Sequence, residues 1–301
     1  MLTQQEIDTY HRDGYLLVEN AVNAEQLDAM RKATKALIDQ SRTITESDYR
    51  FDLDEGHGPN NPRLTRIKLP HKLDPVYWDI LKDSRMTEVL TTLLGPDTMI
   101  QTTKLNTKAP GGGQAVEWHQ DWAFYPHTND TMLAFGLMLE DVDEANGPLQ
   151  VIPGSHKGPV LAHTNKDGVF CGAVDPDDPD FDYAKAVTLT GKAGDMTVHH
   201  VRMLHGSSPN NSDRNRYILF YECRAADAWP LFGSSANIAM AAQGQQKIWD
   251  DMHASVITGK FDGIPRCEAV PVRLPLPPAP DATSIFKTQT SGGAKSVYAA
   301  E

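Results

Sequence analysis

The chain has 301 residues, 40% of them hydrophobic, so it can bury a core of its own without disulfides. Its 28 basic and 40 acidic side chains give a net charge of −12 with no run of Lys or Arg, which excludes an extended nucleic-acid footprint. No apolar stretch could cross a membrane, no signal peptide is evident, and the three dispersed cysteines suggest reduced thiols. We therefore expect a cytoplasmic protein that binds neither nucleic acid nor membrane; its oligomeric state cannot be predicted.

The first part of the chain carries helix signals. A capping box that starts at Thr3 predicts a first helix, a short strand follows over Tyr15 to Val18, and Asn23 can cap a second helix. An Asp-Pro dipeptide at residues 74–75 predicts a further helix that ends near residue 95. This part is expected to be mainly helical.

The segment between the second helix and the Asp-Pro dipeptide is unusual. Residues 41–65 (SRTITESDYRFDLDEGHGPNNPRLT) are polar and rich in turn-forming residues, and they follow neither the helical nor the strand period. The length is large for an idle loop in a compact domain. We predict a mobile lid.

After residue 95 the pattern changes to short apolar or alternating runs separated by turns, which predict a β-sandwich or barrel. The predicted strands span residues 99–106, 132–139, 149–152, 186–189, 195–201 and 217–223. Helices first and a β-core second indicate an α+β fold.

We expect one domain over residues 1–301, with no internal repeat. It consists of the mainly helical part (1–95), the β-core (96–230), a flanking segment (231–275) and a tail (276–301). The tail is predicted to be extended at its prolines and mobile towards its end.

The stretch EWHQDW at residues 117–122 carries the clearest chemical signal. On a strand or strand end, His119 and Asp121 project to the same face, so an imidazole nitrogen and a carboxylate oxygen can meet one ion. A third ligand must come from a neighbouring strand, and GDMTVHHVRMLHGS offers His205 at a corner before Gly206. Two histidines and a carboxylate are the ligands of non-haem Fe(II) oxygenases, although zinc hydrolases use related sets.

Three segments, WHQDWAFYP, NGPLQVIPGSHKG and GDMTVHHVRMLHGSSPNNSDRNRY, resemble the phytanoyl-CoA dioxygenase family of Fe(II)/2-oxoglutarate oxygenases. The similarity starts at LTQQEIDTYHRDGYLLVENAV and extends to about residue 230. An HxD pair alone is weak evidence, but here the other two segments follow it. The resemblance implies a double-stranded β-helix, a jelly-roll or cupin-like core with N-terminal and flanking helices.

By this resemblance, His119, Asp121 and His205 match the iron ligands, and Fe(II), 2-oxoglutarate and O2 are the implied cofactor and cosubstrates. Arg216 matches the arginine that pairs with the far carboxylate of 2-oxoglutarate, and a guanidinium fork suits that carboxylate. Ser207 resembles a residue whose hydroxyl helps to hold the same carboxylate.

Other candidates for contact with 2-oxoglutarate lie thirteen or more residues before the HxD motif. Asn106 in KLNTK resembles a polar residue that reaches the cosubstrate in relatives, with Thr103 and Lys104 as lesser candidates. Arg214 competes with Arg216 for the carboxylate, but its Asn-Asn-Ser-Asp setting is typical of a solvated turn, so we prefer Arg216.

The remaining histidines of the second motif have alternative interpretations. His199 and His200 alternate on a strand, so one faces inward and the other outward, and His200 is better interpreted as a packing or supporting residue than as a ligand.

Candidate substrate contacts follow the iron motif and the predicted lid. Trp122, Phe124 and Tyr125 could line a substrate pocket, although alternating aromatic residues are as often part of a core. Arg66 and Lys68 could receive an anionic group of a substrate, although exposed basic residues usually have no such role.

The sequence thus predicts an oxygenase that hydroxylates a small organic molecule and releases succinate and CO2. Desaturation, epoxidation or rearrangement at the same iron site, and a non-catalytic sensor of metal or 2-oxoglutarate, remain alternatives. Halogenation is disfavoured because it requires a vacant carboxylate position and Asp121 is present. The substrate itself cannot be predicted, but a CoA ester suits a chain of net charge −12 poorly.

Overall fold

The computed structural model describes residues 1–111, 114–231, 242–280 and 284–298. Its α-helices are α1 (Gln4–Asp13), α2 (Ala24–Ser41), α3 (Pro70–Leu73), α4 (Val76–Lys82), α5 (Arg85–Leu94), α6 (Ala242–Ala254) and α7 (Ile285–Ser291). Its strands are β1 (Tyr15–Val18), β2 (Phe51–Leu53), β3 (Leu64–Lys68), β4 (Thr98–Lys108), β5 (Val116–His119), β6 (Met132–Met138), β7 (Leu149–Val151), β8 (Val187–Leu189), β9 (Met196–His200), β10 (His205–Ser207), β11 (Arg216–Ala225) and β12 (Val256–Thr258).

The strands form two antiparallel sheets. The large sheet has the order β1-β9-β6-β11-β4-β3-β2, and β12 pairs with the end of β4. The small sheet has the order β5-β10-β7-β8. Helices and antiparallel sheets in one mixed fold confirm the expected α+β class.

The two faces of the large sheet have different roles because successive side chains of a strand point to opposite faces. On the outer face, Leu105 of β4 lies opposite Leu219 of β11, and both pack with the helices in the main hydrophobic core. On the inner face, Asn106 lies opposite Ile218, and both line a cavity shared with the small sheet. The helices therefore stabilise the outer face of the sheet, while the candidate functional residues lie on its inner face.

The local sequence signals at the N-terminus are confirmed. The Thr3 side chain accepts a hydrogen bond from the backbone N–H of Glu6, whose carboxylate accepts one from the backbone of Thr3. Asn23 forms the same reciprocal box with Gln26. All six predicted strands of the β-core are present within two or three residues of their predicted ends.

Three expectations need correction. Residues 41–65 are not an irregular loop throughout, because β2 lies within them and pairs with β3 at the edge of the large sheet. The helix after Pro75 is two helices: the first ends at Lys82, with Asp83 as its C-cap, and Ser84 caps the second by accepting from the N–H of Met86 at 3.3 Å. The tail is not free: α7 packs on β5, where buried Gln289 bonds to Glu117.

Within the described ranges, no helix combines the length and apolar character needed to cross a bilayer.

Candidate active site

Three side chains from the small sheet and its margin converge on one point. His205 of β10 lies directly opposite His119 at the end of β5, which brings their ring centroids to 4.1 Å. Asp121 starts the 3-10 turn that follows, and its two carboxylate oxygens lie 3.7 Å from the Nε2 atoms of His119 and His205 respectively. One ligand atom from each residue lies within 4.8 Å of the others, close enough to share a metal ion.

Backbone carbonyls fix the orientation of both imidazoles. The Nδ1 atom of His119 lies 2.7 Å from the carbonyl of Glu117, and that of His205 lies 2.9 Å from the carbonyl of Met203. A carbonyl can only accept, so each Nδ1 carries the proton and each Nε2 presents a lone pair towards Asp121. This is the tautomer that metal coordination requires.

The electrostatics keep the site in its metal-binding protonation state. Burial lowers the pKa of His119 to about 4, and burial together with His119 lowers the pKa of His205 well below its ordinary value. Burial alone would raise the pKa of Asp121, but its charged neighbours, the Lys104 ammonium first among them, outweigh burial and hold that pKa well below the usual range. Neutral histidines and an ionised carboxylate suit a divalent cation.

The adjacent residues His199 and His200 point in opposite directions, as expected, and only one of them faces the candidate ligands. The Nε2 atom of His199 lies 3.4 Å from Asp121 Oδ2, and its ring centroid is 4.4 Å from that of His205. His200 packs instead beside His156, with ring centroids 5.2 Å apart. His199 is therefore a third imidazole at the candidate metal centre, beside the two of the triad, and His200 is not part of it.

A narrow cavity adjoins the candidate ligands, and we call it the inner cavity. It is enclosed by both sheets and by the first residue of α7. Its lining residues are Lys104, Asn106, Val116, His119, Asp121, Leu149, His199, His205, Gly206, Ser207, Arg216, Ile218, Phe220 and Ile285.

Arg216 is the notable charge in the inner cavity. Its side chain is buried, the residue being 2% exposed, and burial lowers its pKa to about 9. Among the described residues, no carboxylate lies within ion-pairing distance of its guanidinium, and its Nε has no hydrogen-bond partner. Arg214, by contrast, forms an ion pair with Asp143 at the surface. The structure thus places Arg216, and not Arg214, where an anionic ligand could bind beside the triad.

A buried lysine, Lys108, which was not among the residues predicted from the sequence, lies beside Arg216 and Ser207. Lys108 pairs across the strands with Arg216 and is 1% exposed. Its Nζ donates to Ser207 Oγ at 2.7 Å and to the Ser207 carbonyl at 3.1 Å, so it fixes the serine that lines the inner cavity. The β4–β11 register explains why Lys108 lies beside Arg216, and only the packing of the two sheets brings it to Ser207, although KLNTK contains both Lys108 and Asn106.

A wider cavity of about 380 Å³ opens on the other side of Asp121, and we call it the outer cavity. Its lining residues are Tyr49, Arg66, Lys68, Leu69, Thr102, Thr103, Lys104, Asp121, Phe124, Tyr125, Glu222, Ser284, Ile285 and Thr288. Asp121, Lys104 and Ile285 border both cavities, so the outer cavity leads to the candidate metal centre.

Lys104 connects the two cavities electrostatically. Its Nζ lies 2.6 Å from Glu222 Oε1 and 3.8 Å from Asp121 Oδ1. Burial would lower the pKa of Lys104, but these two carboxylates raise it. Burial raises the pKa of Tyr125, and so do Asp121 and Glu222 beside it. Glu222 was not predicted from the sequence, because it sits on β11 far along the chain from its partners.

The predicted substrate contacts separate into two groups. Phe124, Tyr125, Arg66 and Lys68 all line the outer cavity, so their contact with a substrate stays a prediction. Trp122 does not line this cavity: it is fully buried in a separate core cluster, and its Nε1 donates to the Pro271 carbonyl at 2.6 Å. The prediction for Trp122 rested on its position directly after the iron motif, where the chain forms a 3-10 turn over Asp121–Ala123; for this residue the alternative, a place in the core, is the one that the structure shows.

Thr103 also differs from the prediction. It points away from the inner cavity, on the opposite side of β4 from Lys104, and its Oγ1 lies 2.5 Å from His71 Nδ1. It borders the outer cavity only. Asn106 does line the inner cavity, and its Oδ1 accepts no hydrogen bond from the described residues.

Comparisons with known proteins agree with this geometry. The model of the phytanoyl-CoA dioxygenase (PhyH) family matches residues 10–218. The chain belongs to this family. A probable alpha-ketoglutarate-dependent hypophosphite dioxygenase from Stutzerimonas stutzeri is 32% identical over 283 residues, which are 93% of this chain and 94% of that protein.

Solved structures show the same fold. The structure of EctD from S. alaskensis with 2-oxoglutarate and 5-hydroxyectoine has a TM-score of 0.60 at 24% identity, covering 75% of this chain and 77% of that one. The carbocyclase SnoK from nogalamycin biosynthesis has a TM-score of 0.63 at 18% identity, covering 80% and 91%. The solved structures show the fold, while family membership and the S. stutzeri relative show the class of enzyme: the chain is an Fe(II)/2-oxoglutarate-dependent oxygenase, with iron, 2-oxoglutarate and O2 as its cofactor and cosubstrates, as its sequence predicted.

The residues present fit these groups. The nitrogen and oxygen donors of the triad suit Fe(II) and leave one side of an octahedron open. A buried guanidinium without a carboxylate partner among the described residues suits a dicarboxylic cosubstrate, because an unpaired buried charge is costly until an anion binds it.

Proposed function

We propose that this enzyme hydroxylates a small molecule in the outer cavity, coupled to conversion of 2-oxoglutarate and O2 into succinate and CO2. In this proposal His119, Asp121 and His205 hold Fe(II). The observation that carries it is the buried Arg216 in the same cavity as the triad, without an anionic partner in the described parts of the chain.

The protein would position 2-oxoglutarate from three sides of the inner cavity. Arg216 would pair with the far carboxylate through two parallel N–H donors. Ser207, which accepts a hydrogen bond from Lys108, keeps its own hydroxyl proton available to donate to the same carboxylate. Asn106 would complete the pocket with its side-chain amide.

The bound iron, 2-oxoglutarate and O2 supply the oxidant, and the chain supplies orientation and shielding from water. Phe124 packs edge-on against His119, with centroids 5.8 Å apart, and would shield this ligand from water on the outer cavity side. Lys104 and Tyr125 surround the Asp121 carboxylate and restrict its orientation. A substrate in the outer cavity would therefore lie next to the iron with little room for solvent.

Hydroxylation is our first choice among the oxidative outcomes. The S. stutzeri relative is named a probable hypophosphite dioxygenase, and the EctD structure contains the hydroxylated compound 5-hydroxyectoine, so both names are compatible with insertion of oxygen. SnoK, named a carbocyclase, has the same fold, which keeps rearrangement as the second candidate. We also infer that the sheets form the double-stranded β-helix of the family and that the chain is a single oxygenase domain.

The proposal is tested by succinate formation. Purified protein supplied with Fe(II), 2-oxoglutarate and O2 is screened against pools of small acids, amines, phosphonates and hypophosphite, and the product of any stimulating pool is identified by mass spectrometry. We expect substrate-dependent succinate and a product heavier by one oxygen. A product that has lost two hydrogens instead would favour desaturation, and ligand binding without succinate in any pool would favour a sensor.

A further inference from the structure

The backbone carbonyl of Glu117 accepts two hydrogen bonds, one from a candidate metal ligand and one from α7. His119 Nδ1 donates to it at 2.7 Å, which fixes the imidazole. The second donor is the side-chain amide of Gln289, whose Nε2 lies 3.2 Å from the same oxygen. A carbonyl oxygen has two lone pairs, so it accepts both bonds at once. The helix therefore binds the same peptide group that orients a candidate ligand.

The strand that carries His119 has a neighbour on only one side in the small sheet. Among the described strands, β5 is the terminal one of this sheet and pairs with β10. Gln289 Oε1 accepts from the N–H of Glu117 at 3.0 Å, so this one buried side chain satisfies both backbone groups of Glu117. Gln289 thus supplies part of the pairing that a second neighbouring strand would give.

The side chain of Glu117 binds a further part of the same C-terminal segment (residues 284–298). Its Oε1 accepts from the Ser296 hydroxyl at 2.6 Å, and its Oε2 accepts from the N–H of Val297 at 3.0 Å. Glu117 is 9% exposed, so these two bonds replace water that its carboxylate loses. The backbone and the side chain of one residue therefore both hold the C-terminal segment.

The segment also reaches the strand that carries the second histidine. The Tyr298 hydroxyl donates to Gln150 Oε1 of β7 at 2.9 Å, and β10, with His205, lies between β5 and β7. A Cβ atom added to Gly206 would lie 3.0 Å from the Tyr298 hydroxyl oxygen, so the tyrosine packs directly on β10 beside that histidine. Residues 284–298 thus contact each of the three strands around the two candidate histidine ligands.

We propose that Gln289 and Glu117 are positioning residues of the metal centre: the C-terminal segment holds β5 so that the Glu117 carbonyl keeps the His119 imidazole in the orientation that a metal requires. This inference rests on the proposed function, because it takes His119 as a ligand of Fe(II). Loss of a group that supports a metal-bound histidine costs about 10- to 100-fold in metal affinity. Metal affinity is therefore the quantity that reveals the role.

A purely structural role of α7 makes a different prediction. Asn165 Nδ2 donates to the Gly292 carbonyl at 2.9 Å, so it holds the other end of α7 without a contact to Glu117. If α7 served only to stabilise the fold, loosening it at either end would have the same effect on metal affinity. If Gln289 positions His119, only the loss of Gln289 weakens metal binding. Asn165→Ala is therefore the matched control for Gln289→Ala.

The experiment measures Co(II) binding to the full-length protein by calorimetry. Co(II) replaces Fe(II) because its visible absorption reports the geometry of its ligands. We expect Gln289→Ala to bind Co(II) about tenfold more weakly than the wild type, at the lower end of the range because Gln289 acts through the Glu117 carbonyl. Its Co(II) spectrum should also change. Gln289→Met should behave in the same way, since it fills the same space without an amide, and it keeps the comparison available if Gln289→Ala does not fold.

Hydrogen exchange separates loosening of α7 from the effect on the metal. Exchange over residues 285–291 should rise in Gln289→Ala and in Asn165→Ala alike, whereas Asn165→Ala should keep the wild-type Co(II) affinity and spectrum. Wild-type affinity and spectrum in both Gln289 variants, or equal weakening of Co(II) binding by Asn165→Ala, would overturn the positioning role.

Failure of this inference can be distinguished from failure of the proposed function. His119→Ala is titrated with Co(II) beside the other variants. Undiminished Co(II) affinity in His119→Ala rejects the ligand assignment and, with it, the proposed function. Weak binding by His119→Ala together with wild-type binding by the Gln289 variants rejects only the positioning role.

Discussion

At the scale of single residues, the site depends on the Nε2 atoms of two histidines that a pair of adjacent strands places opposite one another. Replacing His205 by Ala leaves Fe(II) with two protein ligands, so we expect loss of stoichiometric metal and of turnover. His200→Ala is the matched control, since His200 packs beside His156. Metal content after anaerobic loading, measured by plasma emission spectroscopy, checks both variants.

A variant of His199 tests whether the metal has only the three proposed protein ligands. It lies 3.4 Å from Asp121 Oδ2, yet in this proposal it is not a ligand, so His199→Ala should retain metal. Loss of metal in His199→Ala together with retention in His205→Ala would show that the two histidines have been assigned in the wrong order.

Arg216 gives the second prediction at this scale. Arg216→Ala removes a buried bidentate partner of the far carboxylate, worth about 2 to 5 kcal/mol, so the KM for 2-oxoglutarate should rise steeply while iron binding is kept. Arg214→Ala, at the surface ion pair with Asp143, should change little. Titration of 2-oxoglutarate in both variants decides the matter, and the reverse result would mean that the assignment is shifted by two residues.

Sequence patterns could predict the residues that belong to local motifs. His119 and Asp121 share one short motif, and Arg216 follows His205 by eleven residues, so family resemblance reaches all of them. Lys108 and Glu222 could not be found in this way, because their importance depends on which residue of β11 lies opposite which residue of β4. That register is set by the packing of whole sheets and not by any neighbouring residues.

At the scale of secondary-structure elements, the clearest departure from the sequence prediction is the C-terminal helix α7. Prolines suggested an extended tail, whereas buried Gln289 accepts from the N–H of Glu117 at 3.0 Å and donates to the Glu117 and Gly172 carbonyls at 3.2 and 3.0 Å. Hydrogen bonds to partners 172 and 117 residues away cannot be predicted from the local sequence pattern. Through Ile285, this helix also closes part of both cavities.

Gln289→Ala should therefore detach α7 from β5. It leaves buried backbone groups of Glu117 and Gly172 without their partners, which costs about 1 to 3 kcal/mol per unsatisfied group. Lys287→Ala, exposed on the same helix, is the control and should leave stability unchanged. Hydrogen exchange over residues 285–291 should rise in the first variant, and unchanged exchange would mean that α7 is held by its apolar contacts alone.

Closure of the predicted lid over the outer cavity is a second prediction at this scale. Part of residues 41–65 is fixed in β2, so closure should concern the segments that flank this strand, including Tyr49, which is 78% exposed and yet borders the outer cavity. Binding of iron, 2-oxoglutarate and substrate should slow hydrogen exchange across residues 42–50 because substrate must enter and water must then be excluded. Equal exchange with and without all three ligands would reduce the segment to an ordinary surface loop.

At the scale of the whole molecule, stability and chemistry are divided between the two faces of the large sheet. The outer face and the helices form one continuous hydrophobic core, which the amphipathic patterns of α1, α2 and the long strands made predictable. The inner face carries cations, carboxylates and imidazoles that an ordinary core would exclude. Their burial is tolerated where a metal and a cosubstrate are expected to offset the charges. A polar inner face of this kind does not follow the apolar pattern of a core, so pattern analysis alone predicted no more than a sandwich or barrel.

Burial of neutral histidines also makes global stability depend on pH, and His163 is the clearest case. Its Nδ1–H donates to the Leu161 carbonyl at 2.9 Å, and its Nε2 accepts from the N–H of Gln120 at 2.8 Å. Burial lowers the pKa of His163 to about 3, since a proton on Nε2 would face another N–H. The unfolded chain takes up this proton near its ordinary pKa of about 6.5, so the contribution to stability is complete above that pH and is lost as the pH falls towards 3.

The expected size of this effect is about 1.4 kcal/mol of unfolding free energy per pH unit within that window. His163→Gln removes the titrating group, so its unfolding free energy should fall less steeply with pH than that of the wild type, by about this slope, even if the variant is less stable at pH 7. Denaturant unfolding of both proteins at several pH values between 4 and 7 provides the comparison, and identical slopes for His163→Gln and the wild type would show that His163 already takes up its proton in the folded protein.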